Sequence, residues 1–434
     1  MKFKAGGSTG PAPGLLSEIS MTIPDRPGVC VVAETTEIKL IRYQPGSAVI
    51  VQDSPNPGFF FIVKEGQLSV HSDTTEFTEK ELSRFGPGDT FGLVSALTVG
   101  RYLGTIHART EAVLIRVPVE LLGQYLHDNR PICLKMLTKY SRELKALDKY
   151  LANLNPTGTW DNSPEKLFLD HETYEQLRQP RQAAYALRRF LQYLEDNPDS
   201  QGRQYEEAAR AKIAERYADV RFAEHTENNF TVPPDGVLLM ENEPGHYAYV
   251  IKAGSVRVSK LVQGQEFVVA VLGPGEIVGE QSLLENKPYS ATAVARERTE
   301  VIRLSHTTFM DEAGEAILQK IFESMARRIW FSHQRLTILK VKSPVARMYF
   351  FLLSQTKQMR RTGNVAVKFH YTVTDLTRMC GILRVKKETI IDILSDDNVQ
   401  FQKNAIVVQD AEALEQKALT YKFRSGKFAE RLFL

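Results

Sequence analysis

Residues 279–292 read GEQSLLENKPYSAT. A glycine, then a carboxylate, then small and polar residues is the make-up of a loop that holds a nucleotide phosphate. The candidate ligand contacts in it are Gly279, Glu280, Gln281, Ser282, Tyr289 and Ser290. Backbone N–H groups left free at a helix start bind anions, and hydroxyls and amides add hydrogen bonds. The stretch lacks an arginine, whose planar fork best matches a phosphate. A second stretch, FGLVSALTVGRYLGT at 91–105, offers Gly92, Arg101 and Tyr102 in similar places, with Leu93 where the carboxylate would stand. A third group lies near the C-terminus: Arg384, Lys386, Lys387, Glu388, Thr389 and Lys403. From Arg327 onward about 20 Lys and Arg face about 9 Asp and Glu, while the whole chain carries only +3. Such asymmetry marks a basic region that meets a polyanion, and a solvated basic face is the plainer alternative.

The elements around these residues form a repeat. PGFFFIVKEGQLSV (57–70) and PGHYAYVIKAGSVRV (244–258) resemble each other, as do the stretches 85–117 and 272–304. Gly86-Pro87-Gly88 matches Gly273-Pro274-Gly275, Gly92 matches Gly279, Thr105 matches Thr292 and Arg116 matches Arg303. An offset of about 187 residues means a duplicated domain, not a solenoid. Each copy is rich in aromatic and β-branched residues punctuated by Gly and Pro, which predicts short strands in a small jelly-roll-like barrel. Each copy leads into helix, at 120–154 and 314–340. In the second helix Ile317, Ile321, Met325 and Trp330, flanked by Phe322 and Ile329, form a broad apolar stripe. That stripe predicts either packing on its own barrel or a dimer seam. Residues 163–220 are polar and helix-forming, with Ser163-Pro164 suited to a helix start and Pro180 and Asn197-Pro198 as breaks.

The whole chain narrows the function class. With 434 residues, 43% hydrophobic and 25% charged, it is an ordinary globular protein of two to four domains. No apolar run reaches 18 residues, so no transmembrane helix is expected. The N-terminal MKFKAGGSTGPAPG lacks the apolar core of a signal peptide and predicts a disordered tail. Cys30, Cys133 and Cys380 lie far apart, which predicts neither a disulfide framework nor a metal pair and suits a cytoplasmic location. No P-loop, nucleophile elbow or metal-ligand spacing is found, so no enzyme is expected.

Each repeat resembles a cyclic-nucleotide-binding domain, and the C-terminal end resembles the winged helix of Crp/Fnr transcription regulators. The resemblance covers about 31–122, 222–342 and 343–420. It implies an α+β chain. Residues 1–30 are the tail, 31–122 and 222–310 two cyclic-nucleotide-binding-type β-rolls, and 123–221 a helical connector. Residues 311–342 are a long dimerisation helix, and 343–434 a winged helix-turn-helix. In this family a glutamate after the glycine holds the ribose and a later arginine pairs with the phosphate. Gly279 and Glu280 fit the first positions, whereas Tyr102 and Tyr289 stand where the arginine would be, with Arg101 one residue early. The ligand implied is a cyclic nucleotide or cyclic dinucleotide, or none.

The resemblance also implies an N-cap at Thr374 for a helix Asp375–Leu383, and Cys380 buried where two helices cross. Arg384-Val385-Lys386 would form the turn and Lys387–Ser395 the recognition helix. Wing strands would run around Lys403-Asn404, with a last helix Ala411–Lys417. In that frame Lys387 and Glu388 reach base edges, while Thr389, Arg384, Lys386 and Lys403 contact phosphates. The partners implied are double-stranded DNA, a second copy through 314–340 and a nucleotide effector. The function implied is transcription regulation. The alternative is a tandem cyclic-nucleotide-binding scaffold or regulatory subunit that binds proteins.

Overall fold

The computed structural model describes residues 37–73, 83–98, 100–154, 163–222, 227–262, 264–305, 315–359, 366–369, 371–382, 388, 390–402 and 405–425. The strands of the first copy are β1 (Lys39–Tyr43), β2 (Ala48–Ile50), β3 (Phe59–Glu65), β4 (Leu68–His71), β5 (Arg84–Phe85), β6 (Thr90–Phe91), β7 (Thr105–Ala108) and β8 (Ala112–Pro118). They make two antiparallel sheets, ordered β1-β8-β3-β6 and β2-β7-β4-β5. The second copy has β9 (Asn229–Val232), β10 (Val237–Leu239), β11 (Tyr247–Ala253), β12 (Val256–Val262), β13 (Gln265–Leu272), β14 (Ile277–Val278), β15 (Thr292–Ala295) and β16 (Thr299–Ser305). Its sheets run β9-β16-β11-β14 and β10-β15-β12-β13, the same order strand for strand. The chain therefore holds two β-rolls of one topology.

The local geometry repeats as well. A short helix follows β6 and β14: α1 (Leu93–Leu97) in the first roll and its counterpart Glu280–Glu285 in the second. The preceding glycines, Gly92 and Gly279, sit at φ 81° and 87°. A side chain at Gly279 would bring its Cβ to 2.8 Å from the Tyr247 carbonyl, so this position needs glycine for conformation and for space. A left-handed turn residue recurs too, Asp53 in one roll and Asn242 in the other. Their N–H groups donate to the carbonyls of Tyr102 and Tyr289, each at 2.9 Å.

The helix predicted at 120–154 is split into α2 (Leu122–Asp128) and α3 (Arg130–Leu154). The break falls at Asn129, whose backbone is non-helical, and Pro131 then sits in the first turn of α3, where its missing N–H costs nothing. The connector forms α4 (Leu167–Gln176), α5 (Pro180–Asp196) and α6 (Glu206–Arg216), broken at the two prolines. After it come α7 (Glu280–Glu285) and α8 (Glu315–Leu339).

α3 and α8 pack along each other. α1 of the first roll lies on α8, and α7 of the second roll lies on α3. This reciprocal exchange is how a two-fold pair is built, here within one chain. Met136, Tyr140, Leu144 and Leu147 join Ile321, Phe322, Met325 and Ile329 in one buried cluster, and the rings of Tyr140 and Phe322 meet edge to face at 5.9 Å. Of the stripe expected to seat a second copy, Ile321, Phe322, Met325 and Ile329 are thus buried with α3 packed along them, and the Ile317 side chain lies outside the described residues. The sequence periodicity was right, but apolar surface does not specify which helix buries it.

The remaining elements are α9 (Pro344–Met359), β17 (Val367–Phe369), α10 (Val373–Met379), α11 (Ile391–Leu394), β18 (Val399–Phe401), β19 (Ile406–Val408) and α12 (Ala411–Ser425). The strands form one antiparallel sheet, β17-β19-β18. The cap of α10 is Thr372, not Thr374. The Thr372 hydroxyl accepts from Asp375 N–H, while the Asp375 carboxylate accepts from Thr372 N–H. Asp at the third helical position completes a capping box, which outweighs a lone threonine. Cys380 is fully buried, and α12 runs eight residues beyond the expected Lys417. Among the described residues no helix is long and apolar enough to cross a membrane.

Candidate functional site

In the second roll Gly279 starts α7, and the next residue, Glu280, is only 1% exposed. Its carboxylate accepts from Arg328 of α8 at 2.6 Å, an ion pair in which Glu280 is buried and Arg328 mostly so. Burial alone would lower the Arg328 guanidinium, but the carboxylates of Glu280, Asp148 and Glu276 together outweigh it and hold Arg328 above its usual value. Glu280 therefore anchors the roll to the long helix. Gln281 accepts from the Ser290 hydroxyl at 2.8 Å, closing the loop on itself, and Ser282 is buried beneath it.

Tyr289 is buried, and its ring lies 3.2 Å from where a Gly279 Cβ would stand. Its hydroxyl donates to the Tyr247 carbonyl at 2.6 Å and accepts from Tyr247 N–H at 3.1 Å. Tyr102 repeats the packing on Gly92 and is equally buried, and burial pushes its phenol up to about 12. Both tyrosines are thus neutral parts of the roll interior. The Arg101 guanidinium donates to the Asp53 carbonyl and does not line the cavity beside it.

That cavity, about 240 Å³, lies inside the first roll beside Gly92 and Tyr102. Glu143 of α3 and His333 of α8 close it from the far side. On the second roll the matching region meets the connector. The Tyr174 hydroxyl lies 2.9 Å from Thr292 Oγ1, and Asn242 donates to Asp170 at 2.8 Å. Gln179 donates to Glu266 at 3.0 Å. The connector, read from its sequence only as polar and helical, covers this side of the second roll.

Arg335 of α8 was not singled out in the sequence. Its buried guanidinium donates to the carbonyls of Met379, Val269 and Val268 at 2.7–2.9 Å. It therefore ties α8, β13 and the end of α10 together. Arg296–Asp375 at 3.0 Å and Arg378–Glu266 at 2.9 Å fasten α10 to the second roll. A cavity of about 670 Å³ separates these elements, with Arg328 and Arg335 on its wall. The available signal was spacing. Arg328 and Arg335 are seven residues apart, so they share a face inside an otherwise apolar stripe.

Of the C-terminal candidates, only Glu388 falls within the described residues, and it is exposed. Arg384, Lys386, Lys387, Thr389 and Lys403 lie outside them. Ile391, the first residue of α11, is 52% exposed.

The family model for the cyclic nucleotide-binding domain matches residues 40–129 and 230–314. The chain is 26% identical over 190 residues to the cyclic AMP receptor protein of Thermus thermophilus, spanning 43% of this chain and 86% of that protein. It is also 26% identical over 174 residues to the cAMP-activated global transcriptional regulator CRP of Salmonella typhimurium, spanning 38% and 82%. Among solved structures, a CRP-family transcriptional regulator, also from Thermus thermophilus, matches with a TM-score of 0.34 at 20% identity, covering 44% of this chain and 96% of that one. A regulatory subunit of a cAMP-independent protein kinase A from Trypanosoma brucei matches with a TM-score of 0.21 at 15% identity, covering 67% and 80%. This chain carries two cyclic nucleotide-binding domains, and CRP-family transcription regulators are among its homologues.

Proposed function

We propose that the chain is a DNA-binding transcription regulator of Crp/Fnr type whose two β-rolls have lost the phosphate-binding arginine. The observation that carries this is the C-terminal module. Among the described residues α9, β17, α10, α11, β18 and β19 follow one another in the order helix, strand, helix, helix, strand, strand, and α12 comes after them. That is the order of a winged helix, in which the second helix of the pair enters the major groove. The basic surplus after Arg327 and the regulators among the relatives support the same conclusion. Lys387 and Glu388 would then read bases, with Arg384, Lys386, Thr389 and Lys403 on phosphates. Ile391, exposed on α11, would meet a thymine methyl.

The ties from Arg335, Arg296 and Arg378 supply a route for control. An event on the second roll or on α8 would reorient the module by shifting a pre-existing equilibrium. A second copy, needed to read paired half-sites, would meet this one elsewhere than on the covered stripe of α8.

Gel-shift titration against genomic fragments tests the proposal. Four phosphate contacts predict a loss of affinity of about a hundredfold between 50 and 200 mM salt. The substitutions Lys386→Ala and Lys387→Ala should weaken binding further. Absent or salt-insensitive binding would overturn DNA reading and favour a protein-binding scaffold.

A further inference from the structure

A separate cavity of about 510 Å³ lies between the connector and the second roll. Five arginines line it. Arg181, Arg188 and Arg189 come from α5, Arg221 follows α6, and Arg303 comes from β16. Five rings interleave with them: Tyr185, Phe222, Phe230, Tyr247 and Tyr249. Among the described residues no carboxylate is on its lining. Gly279, Glu280, Gln281, Ser282, Tyr289 and Ser290 do not line it either, so it is distinct from the 279–292 loop.

The charges here are concentrated. Arg189 pairs with Glu243 at 2.8 Å. Arg188 donates from Nη2 to the Val220 carbonyl at 2.6 Å and lies over the Phe222 ring. Its Nε is buried and has no hydrogen-bond partner among the described residues. A buried guanidinium donor without an acceptor is costly, and an anion in the neighbouring cavity would lower that cost through its charge. The Arg303 guanidinium lies over Tyr247 at 4.7 Å and adds its charge to the same wall. A single exposed arginine would mean little. Five converging on one concave, ring-lined space of ligand size are a built site.

We propose that this cavity binds a nucleotide carrying more than one phosphate charge. Guanidinium forks suit phosphate oxygens, and the rings suit a planar base. Because the arginines come from both the connector and β16, such a ligand would clamp the connector onto the second roll. The inference goes beyond DNA reading and does not depend on it.

The test is isothermal titration calorimetry of the full chain with ATP, GTP and a cyclic dinucleotide, alongside adenosine and inorganic tripolyphosphate. At least one nucleotide should bind, and adenosine and tripolyphosphate should each bind at least about tenfold more weakly. Arg221 is exposed, so Arg221→Ala should fold normally and weaken that nucleotide by about tenfold or more. Arg181→Ala, also outside the core, is the second variant and should act the same way. No binding of any of the three nucleotides at about 1 mM would overturn the proposal. So would tripolyphosphate binding as tightly as the nucleotide, or an affinity that survives both substitutions. DNA binding is read by a separate assay, so failure of one proposal leaves the other standing.

Discussion

Removing the carboxylate of Glu280 while leaving Arg328 in place should destabilise the second roll by about 3 kcal/mol. At 2.6 Å and an effective dielectric of about 20, the attraction is about 6 kcal/mol before desolvation is subtracted. Both groups are buried, so desolvation takes back much of that. Breaking such a pair from one side nevertheless costs about 3–5 kcal/mol, because the remaining charge stays buried. The lower end applies here, since the carboxyls of Asp148 and Glu276 also act on Arg328. Glu280→Gln should therefore lower the melting temperature of the unit containing the roll by about 6–12 °C, followed by scanning calorimetry at neutral pH. Glu280→Gln with Arg328→Met removes both charges and should recover more than half of the loss. A single variant within about 1 kcal/mol of wild type, or a double variant less stable than the single, would refute the anchoring role.

Further outcomes follow from the buried groups. Glu241 lies under the connector, where burial chiefly, with the Asp170 carboxyl adding and Lys260 opposing, raises its carboxyl to about 7 from 4.5. Folding then favours the protonated form, so its contribution is full below about 4.5 and is lost as pH rises to about 7. Glu241→Gln should match wild type near pH 4 and exceed it by up to about 3 kcal/mol at pH 8, read from urea midpoints across pH. Tyr289→Phe removes the bonds to both backbone groups of Tyr247 and should cost about 1–3 kcal/mol in the same assay; no change would show those bonds to be dispensable. Burial pushes the Cys380 thiol up to about 12, against the opposing charges of Arg335 and Arg347. In a Cys30→Ser, Cys133→Ser background it should resist maleimide at pH 8 until the chain is unfolded, and rapid labelling of the native protein would contradict its buried place. If Tyr102 and Tyr289, both buried, stand in place of the phosphate-binding arginine as proposed, cAMP and cGMP should give no saturable thermal shift. A ligand at 100 times its dissociation constant would give about 2.7 kcal/mol.

Much of the architecture was legible from sequence because it rests on local rules. The matching Gly-Pro-Gly turns, Gly92 and Gly279, and the strands beside them report backbone needs that recur wherever the residues do. The identical strand order of the two rolls follows from that duplication. The prolines of the connector break helices through their own geometry. Even the Thr372–Asp375 capping box was present in the sequence as a spacing of three, although Thr374 drew the prediction.

Tertiary structure decided which partner each group found. Glu280 has the position of a ligand contact, yet it faces Arg328, 48 residues away on α8. Tyr289 could have faced a ligand, and the Tyr247 backbone holds its hydroxyl inside the roll. The stripe of α8 specified burial but not whether α3 or a second copy would provide it. The arginines around the 510 Å³ cavity are scattered from 181 to 303 and converge only when the connector lies on the second roll. The sequence by itself determined turns, periodicities and the duplication, because these depend on neighbours along the chain. The partners of buried charges and apolar faces depend on contacts between distant segments, and local residue type does not distinguish among the surfaces that could satisfy them.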